Sequence, residues 1–265
     1  MTPNPVSTLA VTLTLVGGPT ALLDLGGVRF LTDPTLSPPA PYPAAPGRFL
    51  QKLEGPALAA ADLGRVDAVL LSHDQHADNL DPEGRALVAR APITFTTPLA
   101  AGRLEGRLLG LEPWASATFR AEGRTFRITA VPARHGPDGT EHLTGPVTGF
   151  VLASEGLPTV YVSGDNASVA VVQEVAARFR VDVAVLFAGA ARSPRLLGDA
   201  LLTLDAARAV EAARALPGAV IVPVHFRGWG HFTDGPGALR VAFDAAGLGA
   251  RLVLLEPGAS VGLPR

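Results

Sequence analysis

The 265-residue chain has no cysteine. This excludes disulfides and thiolate metal ligands together, so any metal centre must be built from His, Asp, Glu or Asn. Lysine is almost missing as well, Lys52 being the only one, and the remaining basic side chains are arginine. Excess charge of either sign is lacking, because 22 basic residues face 24 acidic ones for a formal net charge of -2. A chain so balanced has no long-range field to draw it onto a phosphate backbone or an anionic membrane, and no nucleic-acid partner is expected. Long apolar runs are absent too. The N-terminal "MTPNPVSTLAVTLTLVGG" lacks a basic leader and interrupts its apolar residues with Thr, which reads as a strand, not a signal peptide or membrane span. Together these absences agree with a cytoplasmic protein. "SGDN" is not followed by the glycines that cradle phosphate.

What is present is a large apolar fraction, 48% of the residues, enough to bury a full core in one domain spanning 1–265. Leu9, Val11, Leu13 and Leu15 alternate with threonines, the period of a half-buried strand. "TALLDLGG" and "VRFLTD" read as two further strands joined at Gly26-Gly27, giving an antiparallel start. Residues 34–47 hold six prolines; the reading is an irregular loop, either a pocket wall or a surface excursion. Further strands are expected in "VDAVLLS", "PITFTT", "ATFRAEGRTFRITAVPARH" and "TGFVLASEGLPTVYVSGD". Helices and strands then alternate through "NASVAVVQEVAARF", "VDVAVLFAG", "TLDAARAVEAARAL" and "AVIVPVHF". Two sheet-forming regions, each followed by helices, imply an α/β sandwich with two sheets inside and helices outside.

Three of the six histidines share one grammar: an apolar strand stops and a metal-capable side chain follows. "VLLSH" delivers His73, "ITAVPARH" His135 and "VIVPVH" His225, while "TVYVSGD" delivers Asp165 in the same way. Loops at one edge of a sheet open into a common space, which lets residues distant in sequence meet at one ion. The stretch "LLSHDQHADNLDPEGR" adds His76 and Asp78 beside His73. Neutral imidazole and carboxylate are natural ligands of zinc, manganese or iron where thiolates are absent.

The ordered set "LTDP", "LSHDQHADNLD", "VPARH", "VYVSGD" and "VPVHF" resembles the metallo-β-lactamase-fold hydrolases, in particular the branch containing ascorbate-phosphate lactonases and N-acylethanolamine phospholipase D. The resemblance runs from about Val11 to His231. It implies a four-layer αββα sandwich of the metallo-β-lactamase type and a metal-dependent hydrolase. It also implies metal ligands at His73, His76, Asp78, His135, Asp165 and His225, holding one or two divalent ions, with zinc first and manganese or iron as alternatives.

The family's signature is HxHxDH. Counting back from Asp78, the first His position is held by Asp74, with His73 one residue earlier, and Asn79 stands where the last His belongs. Either Asp74 and Asn79 act as substitute ligands, or one inserted residue leaves His73 in its usual role. A divalent ion lowers the pKa of bound water from near 16 to about 7 and so supplies hydroxide at neutral pH. Asp78 then orients that hydroxide and carries a proton, and His231 serves as oxyanion donor or proton source. Beside it, Arg227 is a candidate partner for a phosphate or carboxylate and Trp229 for a pocket wall, with packed surface roles as the alternatives. His142 is a candidate substrate contact. The expected activity is hydrolysis of a small ester, lactone or phosphodiester, an anionic substrate among the options. The alternative is a metal- or ligand-binding protein of the same fold with a weak or inactive site. A homo-oligomer is compatible with either.

Overall fold

In the computed structural model, which describes residues 11–45 and 48–263, the strands are β1 (Val11–Gly17), β2 (Thr20–Leu25), β3 (Val28–Thr32), β4 (Pro41–Ala45), β5 (Arg48–Gln51), β6 (Ala68–Leu70), β7 (Thr94–Thr96) and β8 (Leu108–Gly110). They continue as β9 (Ser116–Ala121), β10 (Arg124–Pro132), β11 (Thr148–Ser154), β12 (Val160–Val162), β13 (Val183–Phe187), β14 (Val220–Val224) and β15 (Ser260–Leu263). The helices are α1 (Pro82–Val88), α2 (Pro98–Arg103), α3 (Glu141–Thr144), α4 (Val169–Arg178), α5 (Pro194–Leu197), α6 (Ala206–Ala215) and α7 (Pro236–Ala245).

Two sheets carry the molecule. One has the order β15-β1-β2-β3-β6-β7-β8 and the other β14-β13-β12-β11-β10-β9. In β1 the apolar Val11, Leu13 and Leu15 are buried while Thr12 and Thr14 are half-buried, as the alternation requires. Thr8 and Leu9, read into the same strand, lie outside the described residues. β13 has every residue buried and pairs in parallel with β12 and β14, the setting in which a strand loses its alternation because both faces are covered.

The inner faces of the two sheets share one core. Phe30 meets Phe126 edge to face at 5.1 Å, and Leu13, Leu23, Ile128 and Phe150 fill the space around them. Behind the second sheet, α4, α6 and α7 bury Val172, Val175, Ala209, Val210, Leu239 and Phe243 against Tyr161, Leu186 and Ile221. The alanines of α6 are what let that helix lie close to the sheet. Behind the first sheet, Val88 of α1 packs on Val69, Leu71 and Leu80. The layers are therefore helix, sheet, sheet, helix, the αββα sandwich expected. No helix among the described residues is long and apolar enough to cross a membrane.

The proline-rich segment departs from expectation. Residues 41–45 form a strand, β4, paired with β5 in a separate two-stranded ribbon. The reason lies in the register. Lys52 N donates to Ala40 O at 2.9 Å and Tyr42 stands opposite Leu50, so even-numbered residues turn their backbone groups toward the partner strand. Pro41 and Pro43 fall on the outward side, where a missing N–H costs nothing.

Strand direction positions the site. β10 and β12 each run antiparallel to β11, and β14 runs with β12 through β13, so β10, β12 and β14 all end at one edge. In the other sheet β3 and β6 run parallel and end side by side.

Candidate metal centre and cleft

Five strand ends deliver the cluster. His73 lies three residues past β6, His135 three past β10, Asp165 three past β12, and His225 directly follows β14. Asp33 directly follows β3. Two of these turns need glycine. Gly164 has φ +58°, and a Cβ there would lie 2.6 Å from Thr148 O and 2.9 Å from Ser72 Cβ. At Gly189 a Cβ would meet His225 O at 2.2 Å, so only glycine lets β13 approach the turn in which His225 adopts φ +57°.

The structure brings all seven of the side chains read as catalytic or metal-binding together. His73, His76 and His135 form one group and Asp78, Asp165 and His225 a second, each residue offering one nitrogen or oxygen atom within 4.8 Å of those of its group. The groups touch where His135 Nδ1 lies 3.5 Å from Asp165 Oδ2. His73 Nε2 is 2.9 Å from His76 Nδ1, and the three ring centroids are 4.9 to 5.3 Å apart. His225 Nδ1 stands 2.9 Å from Asp165 Oδ1 and His225 Nε2 3.3 Å from Asp78 Oδ2, while His231 Nε2 is 3.0 Å from Asp78 Oδ2.

Surrounding groups hold these side chains. Ser72 Oγ lies 2.9 Å from His73 Nδ1 and donates at 2.6 Å to Asp33 Oδ2, whose other oxygen accepts from Ser72 N. His135 Nδ1 donates to Leu202 O at 2.8 Å, which leaves its Nε2 with a lone pair. Asn79 Nδ2 donates to both Asp33 and Asp165.

Electrostatics keep His73 and His76 neutral. Burial, reinforced by the neighbouring imidazoles, holds His73 well below its ordinary value and His76 at about 4. In the second group burial resists charge, yet the pairs win. His231 and His225 hold the Asp78 carboxyl well below the carboxylate range, and His225 and His135 do the same to Asp165. Burial likewise works against His225, but Asp165 and Asp78 raise it. Asp33, with no cation beside it, is pushed by burial to about 7.

The donor set fits a divalent ion. Asp78 Oδ1 and Asp165 Oδ2 are buried with no hydrogen-bond partner, and the His225 nitrogens, though close to carboxylates, lie off the ring N–H direction that a hydrogen bond requires. Buried polar atoms left in this way are costly unless something cationic joins them. The neutral imidazoles supply the lone pairs a metal takes.

The cluster floors a cleft of about 630 Å³, where His76, Asp78, His135 and His231 are reached from outside and His73, Asp165 and His225 lie beneath. The ribbon forms part of its wall through Ala44, Arg48, Phe49 and Leu50.

Other sequence-derived candidates stand elsewhere. Asp74 is turned away and paired bidentately with Arg103, so the inserted-residue reading of the motif describes the loop: Asp74 and Gln75 bulge, and His73 faces the cluster. Asn79 touches Asp165 through its amide nitrogen, and its buried Oδ1 has no partner. Arg227 is held by Glu54 at 3.0 Å and by Glu256, outside the cleft. Trp229 is not a wall of the cleft but lies behind His231, with ring centroids 6.4 Å apart. His142 is exposed and bonded to Gly139 O.

Two residues were not singled out from sequence. Asp33 follows "VRFLT" by the same strand-end grammar that marked Asp165, and that rule would have found it. Lys52 gave no signal beyond its rarity. It is buried, with Nζ 2.9 Å from Asp81 Oδ2, 3.0 Å from Thr35 O and 5.4 Å from the Trp229 ring.

Comparison with known proteins agrees with this fold. Residues 28–226 match the family described as Beta-lactamase superfamily domain. A relative from Anaeromyxobacter dehalogenans, named a UPF0173 metal-dependent hydrolase, is 28% identical over 250 residues, covering 89% of this chain and 81% of its own. Among solved structures, the isothiocyanate hydrolase from Delia radicum gut bacteria superposes with a TM-score of 0.80 at 20% identity, over 95% of this chain and 99% of that one. A protein from Veillonella parvula described as a possible metal-dependent hydrolase gives a TM-score of 0.80 at 20% identity, over 96% and 100%. At such identity these structures speak to the fold.

Proposed function

Since the chain belongs to the beta-lactamase superfamily and is a metal-dependent hydrolase of that fold, we propose that it hydrolyses a small ester, lactone or phosphodiester at the floor of the cleft. The observation that carries this reading is convergence: side chains from separate strand ends meet in two adjoining donor groups beneath an open cleft. His73, His76 and His135 would hold one divalent ion, and Asp78, Asp165 and His225 would hold the same ion or a second. Two buried carboxylates balance the charge of one. Zinc suits the imidazole-rich group, while the oxygen-rich group admits manganese or iron. When bound, the ion supplies Lewis acidity toward the scissile carbonyl or phosphoryl oxygen and hydroxide at neutral pH.

The chain's own residues do the rest. Asp78 accepts from His231 at Oδ2, and its buried Oδ1, without a hydrogen-bond partner, would face the ion or the attacking water. His231 lines the cleft and is held by Asp78 through Nε2, in reach to serve as oxyanion donor or proton source for the leaving group. Ser72 and Leu202 fix the rings of His73 and His135, and Asn79 steadies Asp165. The apolar walls limit access of bulk water to the floor. The absence of thiols suits a reducing compartment, and a cytoplasmic location belongs to this reading.

The test is hydrolysis of a para-nitrophenyl ester, a simple lactone and bis-para-nitrophenyl phosphate. Each is assayed before chelation, after it, and after adding back zinc, manganese or iron. The expected result is loss with chelation, recovery with one ion, and a fall of at least ~100-fold in His76→Ala. Equal rates in wild type and His76→Ala on every substrate contradict the proposal.

A further inference from the structure

The cleft carries groups that bond cleavage itself does not require. Three of its lining side chains are guanidiniums: Arg48 from β5, and Arg192 and Arg195 from the segment that forms α5. Asp78 is the one acid in the lining, and its charge already faces His225 and His231. Some arginines elsewhere are engaged, Arg103 with Asp74, Arg134 with Asp138, and Arg227 with Glu54 and Glu256, while others such as Arg90, Arg120 and Arg127 stand without an ion pair among the described residues, so what sets Arg48 and Arg195 apart is their place in the cleft lining. Arg192 donates to Asp199 O. Arg48 and Arg195 have no such partner among the described residues.

Much of the remaining wall is apolar. Phe49 and Leu143 are 62% and 43% exposed, unusual for side chains of their size, and both face the cleft along with Leu196 and Leu202. Large apolar side chains left uncovered beside unpaired guanidiniums mark a surface completed by a ligand that has both characters. Arginine, not lysine, supplies the charge, and its planar fork matches two oxygens of one oxyanion. A concave mouth of this size holds one small anion, not a polyanion laid along a surface.

We propose that the substrate is an amphiphile, with an apolar body lying on Phe49, Leu143, Leu196 and Leu202 and a remote anionic group, carboxylate, phosphate or sulfate, held by Arg48 and Arg195. The proposal rests on the reading of the cleft floor as the hydrolytic centre, and it adds which ester, lactone or phosphodiester is taken. Neutral short esters would then be poor substrates, because they leave both the guanidiniums and the apolar walls without partners.

Binding, measured without turnover, tests this. The probes are phenylpropanesulfonate and phenylpropanol, titrated calorimetrically into the metal-loaded protein. A sulfonate is a weak metal ligand, so preference for it reports the rim and not the floor. The expected result is at least ~10-fold tighter binding of the sulfonate, and loss of that difference in the Arg48→Gln, Arg195→Gln double variant with phenylpropanol affinity unchanged. Arg48→Lys with Arg195→Lys should retain part of the preference, and matching melting temperatures establish that each variant is folded. Equal affinities in wild type, or a preference that survives the double glutamine variant, overturn the proposal. Hydrolysis that persists without any sulfonate preference counts against this inference alone. Arginine-dependent sulfonate binding without hydrolysis of any substrate counts against the hydrolytic reading alone.

Discussion

His231 Nε2 lies 3.0 Å from Asp78 Oδ2, a contact that joins the loop after β6 to the loop after β14 across 153 positions of sequence. The pair sits at the floor of the cleft, where His231 is the part-exposed member and Asp78 the buried one.

If His231 delivers the proton to the leaving group, its loss should appear in turnover. His231→Gln is expected to lower kcat by about 100-fold or more with metal content unchanged, and the deficit should shrink for esters with better leaving groups. A uniform loss across leaving groups, or loss of metal, would show that His231 serves the ligand shell instead.

The Lys52–Asp81 pair ties three segments together. Asp81 caps α1 by accepting from Gly84 N, accepts also from Leu36 N and Ser37 N, and pairs with Lys52 away from the surface. Lys52→Met removes one member of a buried pair and leaves Asp81 charged, an effect of about 3–5 kcal/mol. Urea unfolding should show that loss. A change below about 1 kcal/mol would mean that Asp81 is satisfied by its backbone donors alone.

The neutral state of His76 sets an acid limit on the metal-free protein. Its pKa is about 4 in the fold against an ordinary 6.5, so the unfolded chain takes up the proton first as pH falls. The contribution is complete above 6.5 and is lost between 6.5 and 4, in total roughly 3 kcal/mol. His73 shifts in the same direction. Asp78 and Asp165, held low by their imidazole partners, withdraw their support only below the ordinary 3.8. Asp33, pushed by burial to about 7, and His225, raised by its carboxylate partners, act in the opposite direction over the same window, so the test is the difference between wild type and His76→Gln. Chelated protein unfolded in urea at pH 7 and pH 4.5 should lose more stability on acidification as wild type than as His76→Gln, and an equal change in both contradicts the assignment.

Much of this was legible in the chain itself. Period-two alternation marked β1, the alternation of strands with helices in the second half marked β13 and β14, and the strand-end grammar marked His73, His135, Asp165 and His225. Three things were not. β4 was read as irregular because six prolines suggest a loop, yet register placed Pro41 and Pro43 on the outward side of a two-stranded ribbon. Asp74 looked like a ligand by counting, and only the loop's path shows its carboxylate turned to Arg103. Arg227 looked like an anion site, but Glu54 and Glu256 reach it from segments that nothing local connects to residue 227. Side-chain partners set by tertiary approach are invisible to spacing, whereas backbone periodicity is written in every few residues.

The central claim is that His73, His76 and His135 share one divalent ion. Anomalous diffraction from crystals grown with zinc and recorded on both sides of its absorption edge tests it most directly. A peak about 2.0–2.1 Å from a ring nitrogen of each of the three is the expected result. Crystals with no peak among those rings, while zinc is bound elsewhere on the chain, would contradict it.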